Sequence, residues 1–226
     1  MPAELGVIVT ARDEADRLGE TLAALRGAFA GARIVVADDA SEDGTADVAA
    51  AGGAEVVRAR RRLGKGGAAT LAARRVLEDP DHRPRMVLLA DADLGASAAS
   101  LTELVAALER EDGDLIVADF ETRAGGGLGL ALAAARTVIA RRTGGLRPRA
   151  PLSGQRALRA DDLAALLPFA RGFGMETAMT IDAHRAGLRV AEVALPLEHR
   201  VTRRDLAGFL HRGGQLADVL RVVRRP

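Results

Sequence analysis

Met86-Val87-Leu88-Leu89-Ala90-Asp91-Ala92-Asp93-Leu94 decides how the rest of the chain is read. A short, unbroken apolar run is what a strand buried on both faces looks like, and such strands belong to parallel sheets covered by helices. Past the last buried residue, side chains two apart leave on the same face, so Asp91 and Asp93 can point together from the strand tip. Two carboxylates placed this way offer oxygen ligands to one divalent cation, and Mg²⁺ keeps coordination positions open for phosphate oxygens. An isolated Asp-X-Asp is equally at home in a solvated turn, so the flanking sequence has to decide.

Working outward, short β-branched runs alternate with Ala- and Leu-rich helical patterns. The expected series is strand 5–10, helix 16–30, strand 33–37, helix 44–51, strand 55–57, helix 65–77, strand 86–90, helix 98–110 and strand 114–118. This alternation predicts an α/β fold with a mostly parallel, Rossmann-like sheet and helices on both faces. Ligands of such sheets bind beyond the carboxyl ends of the strands. The polar clusters do follow strands: Thr10-Ala11-Arg12-Asp13-Glu14, Asp38-Asp39-Ala40-Ser41 and Asp91-Ala92-Asp93. After Phe120 a glycine-rich stretch, Gly125 to Gly129, predicts a linker or loop dividing residues 1–120 from 121–226 within one domain. Beyond it we expect a strand-like piece from Ala150, helices near 161–167 and 175–186, a strand over 188–197, and an amphipathic last helix carrying Leu206, Phe209, Leu216 and Leu220.

Composition narrows the class. The 226 residues suit one large α/β domain, and a hydrophobic share of 48% argues against disorder. Lys and Arg total 32 against 31 Asp and Glu, and aromatics are five Phe without Trp or Tyr, so neither a polyanion-binding charge nor base-stacking groups for nucleic acid are present. Without cysteine, thiolate catalysis and zinc-thiolate sites are excluded. Met1-Pro2-Ala3-Glu4 lacks the regions of a secretion signal, and the apolar stretch Leu128 to Ala140 is interrupted by Arg136. A cytoplasmic protein without a transmembrane segment is expected, with at most peripheral membrane contact.

Three further segments carry chemistry. Asp39, just past a buried strand, can accept a uracil imide N–H or a ribose hydroxyl, while Ser41, Asp43 and Gly44 also suit a turn and helix cap. Leu63-Gly64-Lys65-Gly66-Gly67 opens a helix with glycines and a lysine, which is an anion site in outline. It is not a Walker loop, since Ala59 stands where the first glycine is needed and Gly66 follows the lysine. Arg58 and Arg60 to Arg62 read as a solvated face. Glu176 would gain from a helix N-terminus.

In this order and spacing, these motifs resemble the GT-A fold glycosyltransferases of family 2. The family's opening segment ends in Asn-Glu, matched by Asp13-Glu14. Its Asp-Asp-Gly-Ser is matched by Asp38-Asp39-Ala40-Ser41. Gly64-Lys65-Gly66 and Asp91-Ala92-Asp93-Leu94 match unchanged. The second half, with Pro151-Leu152-Ser153-Gly154, Pro168 to Glu176, Ile181-Asp182 and Leu197-Glu198-His199-Arg200, resembles the acceptor half of glucosyl-3-phosphoglycerate synthases.

The resemblance implies a metal-dependent glycosyltransferase that uses a nucleotide-diphosphate sugar, a UDP-sugar in the first place. Thr10, Ala11, Arg12, Glu14, Asp39, Gly64, Lys65, Asp91 and Ala92 would bind the donor. Asp93 and His199 would hold Mg²⁺ or Mn²⁺. Glu176 would act on the sugar or the acceptor proton, and Ser153, Gly154, Gln155 and Arg200 would lie on the acceptor or sugar side. The segment 120–149 departs from the phosphoglycerate-binding pattern, which counts against phosphoglycerate itself, and a small-molecule or lipid-phosphate acceptor is expected. Alternatives are a polyprenyl-phosphate glycosyltransferase and a sugar-phosphate nucleotidyltransferase, although the latter's glycine-rich loop after the first strand is missing. Stereochemistry and oligomeric state, a homodimer included, stay open.

Overall fold

The computed structural model describes residues 4–78, 83–120, 128–170 and 174–195. In chain order the elements are β1 (Leu5–Ala11), α1 (Leu18–Ala28), β2 (Arg33–Asp38), α2 (Thr45–Ala51), β3 (Glu55–Arg58), α3 (Lys65–Leu77) and β4 (Met86–Asp91). A 3₁₀ helix (Gly95–Leu101), α4 (Thr102–Glu109), β5 (Leu115–Phe120), α5 (Leu128–Arg142), β6 (Arg156–Arg159), α6 (Ala160–Ala165), α7 (Met175–Arg185) and β7 (Val190–Leu195) follow. Seven strands form one sheet in the order β3-β2-β1-β4-β6-β5-β7, so strands of the later half are inserted into and added to the sheet begun by the first half. All neighbours are parallel except β6, which runs antiparallel to both β4 and β5.

The expected strands are present, and their alternation assigns the faces. Val7, Val9, Val36, Leu88 and Ala90 pack with Leu18, Leu22 and Leu25 of α1 and Leu104 and Leu108 of α4. On the other face Ile8, Val35, Val87 and Leu89 meet α3, α6 and α7 through Ala69, Ala72, Ala73, Leu163 and Met179. The α3 contact is nearly all alanine, which lets the helix axis lie close to the sheet. Helix α5 packs on α7 through Ala135, Val138, Ile139, Ala178 and Ile181. The apolar stretch from Leu128 is thus an outer helix of 15 residues. Among the described residues, no helix is long and apolar enough to cross a membrane.

Three expectations are adjusted. The helix expected over 98–110 begins as a 3₁₀ turn at Gly95, whose φ of +55° reverses the chain directly behind the Asp91–Asp93 turn. The strand-like piece expected from Ala150 starts only at Arg156, because 150–155 crosses the end of the sheet as a loop. The strand expected over 188–197 is β7, Val190–Leu195. The first glycines of the 125–129 stretch, the motif around His199 and Arg200, and the amphipathic helix expected near 206–223 lie outside the described residues.

Candidate active site

β1, β2 and β4 are parallel and in register, so Thr10 pairs with Asp91 and Ala11 with Asp38 at one edge of the sheet. The expected donor cluster is assembled by this register. Antiparallel β6 begins where β4 ends, with Arg156 opposite Leu89, and this delivers the loop 150–155 to the same edge. The first turns of α3 and α7 arrive there too, because Gly66 packs directly on the Ala170 carbonyl and on Met175.

Lys65 stands at the centre. Its Nζ lies 2.6 Å from Asp91 Oδ1 and 2.8 Å from Glu176 Oε1, which joins residues 26 and 111 positions away in sequence into one buried ion triad. At the first turn of α3 a cation opposes the helix dipole, whereas Glu176 in the first turn of α7 is favoured by it. Burial alone would push the Lys65 ammonium down, but Asp91 and Glu176 outweigh it and raise its pKa. Burial would likewise raise the Asp91 carboxyl. Lys65, with hydrogen bonds from Thr10 and Gln155, instead holds it below the ordinary range. Both Asp91 oxygens are thus engaged: Oδ1 takes Lys65 and the Thr10 hydroxyl (3.1 Å), and Oδ2 takes the Gln155 amide (2.9 Å).

Asp93 differs. It is half-buried, and among the described residues it accepts no hydrogen bond and forms no ion pair. The turn that presents it is fixed from behind. Ala92 N–H donates to Thr10 O, and Thr21 of α1 donates to Ala92 O (2.7 Å) while accepting from Gly95 N–H (2.8 Å). A carboxylate without a partner among the described residues, on a turn held by these bonds and beside one whose oxygens are engaged, fits a hard cation at Asp93 better than one shared by both aspartates. Among the described residues no group of three or more His, Asp and Glu side chains could hold a metal ion by itself. His199, expected as the second ligand, lies outside them.

The loops after β1 and β2 are tied to each other. Asp13 N–H donates to Ser41 Oγ, Glu42 N–H to Asp13 Oδ1, Glu14 N–H to Thr45 Oγ1 and Ala15 N–H to Asp43 Oδ2. Asp13 and Ala40 both have positive φ, +52° and +55°. Asp39 accepts from Leu63 N–H (2.6 Å) and Gly64 N–H (2.9 Å), so the carboxylate expected to meet a nucleoside also anchors the glycine-lysine turn. Asp38 is fully buried. Its Oδ1 takes the Ser41 N–H and hydroxyl, while Oδ2 has Arg58 Nε at 3.1 Å without hydrogen-bond alignment. Arg58, expected to be solvated, thus also steadies this loop, whereas Arg60 to Arg62 are exposed as expected.

In the loop expected to lie on the acceptor or sugar side, Gly154 lies flat on the Lys65–Asp91 pair, and a Cβ there would sit 2.6 Å from Asp91 Oδ2. Ser153 and Gln155 are 2% and 0% exposed; Gln155 faces the triad through its bond to Asp91, whereas the Ser153 hydroxyl donates to Gln155 O (3.5 Å) and Oε1 (3.4 Å). Arg156 is the residue sequence reasoning missed. It is 1% exposed, and burial pushes its guanidinium down to about 10, against the opposing pull of Glu176 and Glu192. The available signal was its alternation with core residue Leu158 on β6.

The glycosyl transferase family 2 profile matches residues 6–155, the stretch that contains all of β1 to β5 apart from Leu5. The chain belongs to glycosyl transferase family 2. Its fold is the GT-A fold, as similar solved structures show. Glucosyl-3-phosphoglycerate synthase from Mycobacterium tuberculosis, in complex with phosphoglyceric acid, is 27% identical with a TM-score of 0.75, over 99% of this chain and 81% of that one. The same enzyme with Mn²⁺, uridine diphosphate and glucosyl-3-phosphoglycerate is 26% identical over the same shares, with a TM-score of 0.76. A further mycobacterial protein is 29% identical, with a TM-score of 0.76 over 99% of this chain and 76% of that one. No curated protein matches significantly by sequence alone. Like other members of family 2, the protein is a glycosyltransferase.

Proposed function

We propose that this glycosyltransferase moves a sugar from a UDP-sugar to a hydroxyl of a phosphorylated small molecule, with Mn²⁺ or Mg²⁺ as cofactor. The observation that carries the reading is the Asp91–Lys65–Glu176 triad beside Asp93, which has no partner among the described residues, at the strand edge where family 2 motifs converge. The similar synthase has been crystallised with Mn²⁺ and UDP-glucose, and with phosphoglyceric acid, which supports the donor class and an anionic acceptor.

Residues 1–120 form the donor half. Thr10, Ala11, Arg12, Glu14 and Asp39 line the uridine side, and Gly64 with Lys65 flank the diphosphate. Asp93, with His199, holds the cation. When bound, that cation neutralises charge on the departing diphosphate. Lys65 is held by its two carboxylates before donor arrives, and the third N–H of its ammonium is the one that donates to the diphosphate. Asp91 holds Lys65, with Ala92 carrying the turn. Glu176 orients the sugar ring against Lys65. In the transfer, the bond from the anomeric carbon to the diphosphate oxygen breaks and its electron pair stays with the departing UDP, the acceptor oxygen bonds to that carbon, and the acceptor hydroxyl's proton passes to an oxygen of the departing diphosphate.

Residues 121–226 form the acceptor half, where Ser153, Gly154 and Gln155 build the wall next to the triad and Arg200 supplies positive charge. The test is UDP release from UDP-glucose with Mn²⁺ across a panel of acceptors. Faster release with a hydroxy acid phosphate than with water supports the reading. Acceleration by a polyprenyl phosphate alone transfers the assignment to a lipid acceptor. Pyrophosphate release from UTP and a sugar phosphate would replace it with nucleotidyl transfer.

A further inference from the structure

Arg156 opens β6 in the middle of the sheet, between β4 and β5, on the face where Leu158 packs into the α3–α6–α7 core. An apolar side chain is the ordinary occupant of such a position, and a buried cation is costly there unless it is matched. Each guanidinium nitrogen nevertheless has one acceptor among the described residues. Nε donates to Ser153 O (2.9 Å), Nη1 to Thr180 Oγ1 (3.0 Å) and Nη2 to Pro151 O (3.5 Å). None of these acceptors carries a charge, so contact pairing does not explain the residue.

The three acceptors lead to the triad by two routes. Ser153 O and Pro151 O belong to the turn whose Gly154 lies on the Lys65–Asp91 pair and whose Gln155 donates to Asp91. Thr180 passes its own hydroxyl hydrogen to Glu176 O (3.0 Å), one turn back along α7. A planar fork of donors suits this double task, since it fixes two elements at set angles to each other.

We propose that Arg156 is a positioning residue for sugar transfer: its guanidinium locks the Pro151–Gln155 turn to helix α7, so that Gln155 and Gly154 stay against Asp91 and Lys65 while Glu176 stays beside Lys65. The proposal rests on the transfer reading above for its consequence in catalysis, and on the hydrogen bonds alone for its structural part. Its burial lowers the guanidinium's affinity for a proton only to about 10, so the fork keeps all its donors at neutral pH.

Arg156→Met and Thr180→Val test it. Each conserves approximate volume and removes polar links, and because buried acceptors lose their donor, each should lower the melting temperature while the apolar core keeps the fold. Melting temperature, the crystallographic position of the 151–155 turn, and turnover of UDP-glucose with Mn²⁺ are compared with the wild type. We expect both variants to unfold cooperatively, Arg156→Met at a lower temperature than wild type, and, in Arg156→Met, the Gln155 amide to leave Asp91. At nearly unchanged donor KM, kcat should fall about 10- to 100-fold, the effect of small misplacement in an active site. Arg156→Lys, which keeps the charge but lacks the fork, should not rescue kcat. A turn that stays in place in Arg156→Met, wild-type kcat in both variants, or full rescue by lysine would overturn the proposal. If the wild type turns over no UDP-glucose, the donor assignment fails by itself, and the position of the turn, which needs no substrate, still decides the role of Arg156.

Discussion

Lys65 is a residue whose meaning changes between sequence and structure. In the sequence it is a lysine in a glycine turn, read as a free positive charge for an anion. In the structure it is already shared by two carboxylates from β4 and α7. Lys65→Met would leave Asp91 and Glu176 buried without a counter-charge, at a cost of about 3 kcal/mol in urea unfolding. Linkage gives the pH dependence. Asp91 is held below its ordinary 3.8, so its contribution is present above that pH and disappears as pH falls through the lower folded value. Lys65 is raised above 10.5, so its share is complete below that pH and is lost only as pH rises through the higher folded value. Urea midpoints measured across pH should fall below pH 3.8 in the wild type, and Lys65→Met should remove part of that fall. Ala40, where the family has glycine, takes a φ of +55° that costs an L residue steric energy. Ala40→Gly should therefore stabilise by about 0.5–1 kcal/mol, after the entropy of the more flexible unfolded chain is offset.

Elements were the most legible level, and α3 shows why. Its bounds could be read as Lys65 to Leu77 because a glycine turn precedes an uninterrupted Ala- and Leu-rich run. β4 was equally plain, since a strand covered on both faces must be apolar throughout. The 3₁₀ turn at Gly95 was not visible, because its cause is tertiary: Thr21 of α1 binds both Ala92 and Gly95. Thr21→Val should loosen the Asp93 turn and weaken metal-dependent donor binding about tenfold, measured by calorimetry, with the hydrogen bonds lost there worth about 1 kcal/mol each. The approach of α3 to α7 was hidden as well. Gly66 permits it, since a Cβ would strike the Ala170 carbonyl. Gly66→Ala should separate the two helix starts, lower the melting temperature, and reduce turnover through the Lys65–Glu176 contact.

At the scale of the whole molecule, the donor motifs were legible because each follows its own strand, and a parallel sheet brings such ends to one edge. The convergence of 150–155 and Glu176 on that edge was not. It follows from β6 entering antiparallel between β4 and β5, a topology that local periodicity does not encode. Arg156 escaped for the same reason, since an arginine in a short strand reads as solvent-facing until its neighbours are known. The difference between Asp91 and Asp93 also needed the fold, because only contacts show that Lys65, Thr10 and Gln155 engage Asp91 while Asp93 has no partner among the described residues. The most direct test of the account is calorimetric binding of UDP-glucose with Mn²⁺ and with chelator, to the wild type and to Asp93→Ala. The account predicts binding that requires Mn²⁺ and is lost in Asp93→Ala at an unchanged melting temperature. Equal binding with chelator, or wild-type affinity in Asp93→Ala, would contradict it.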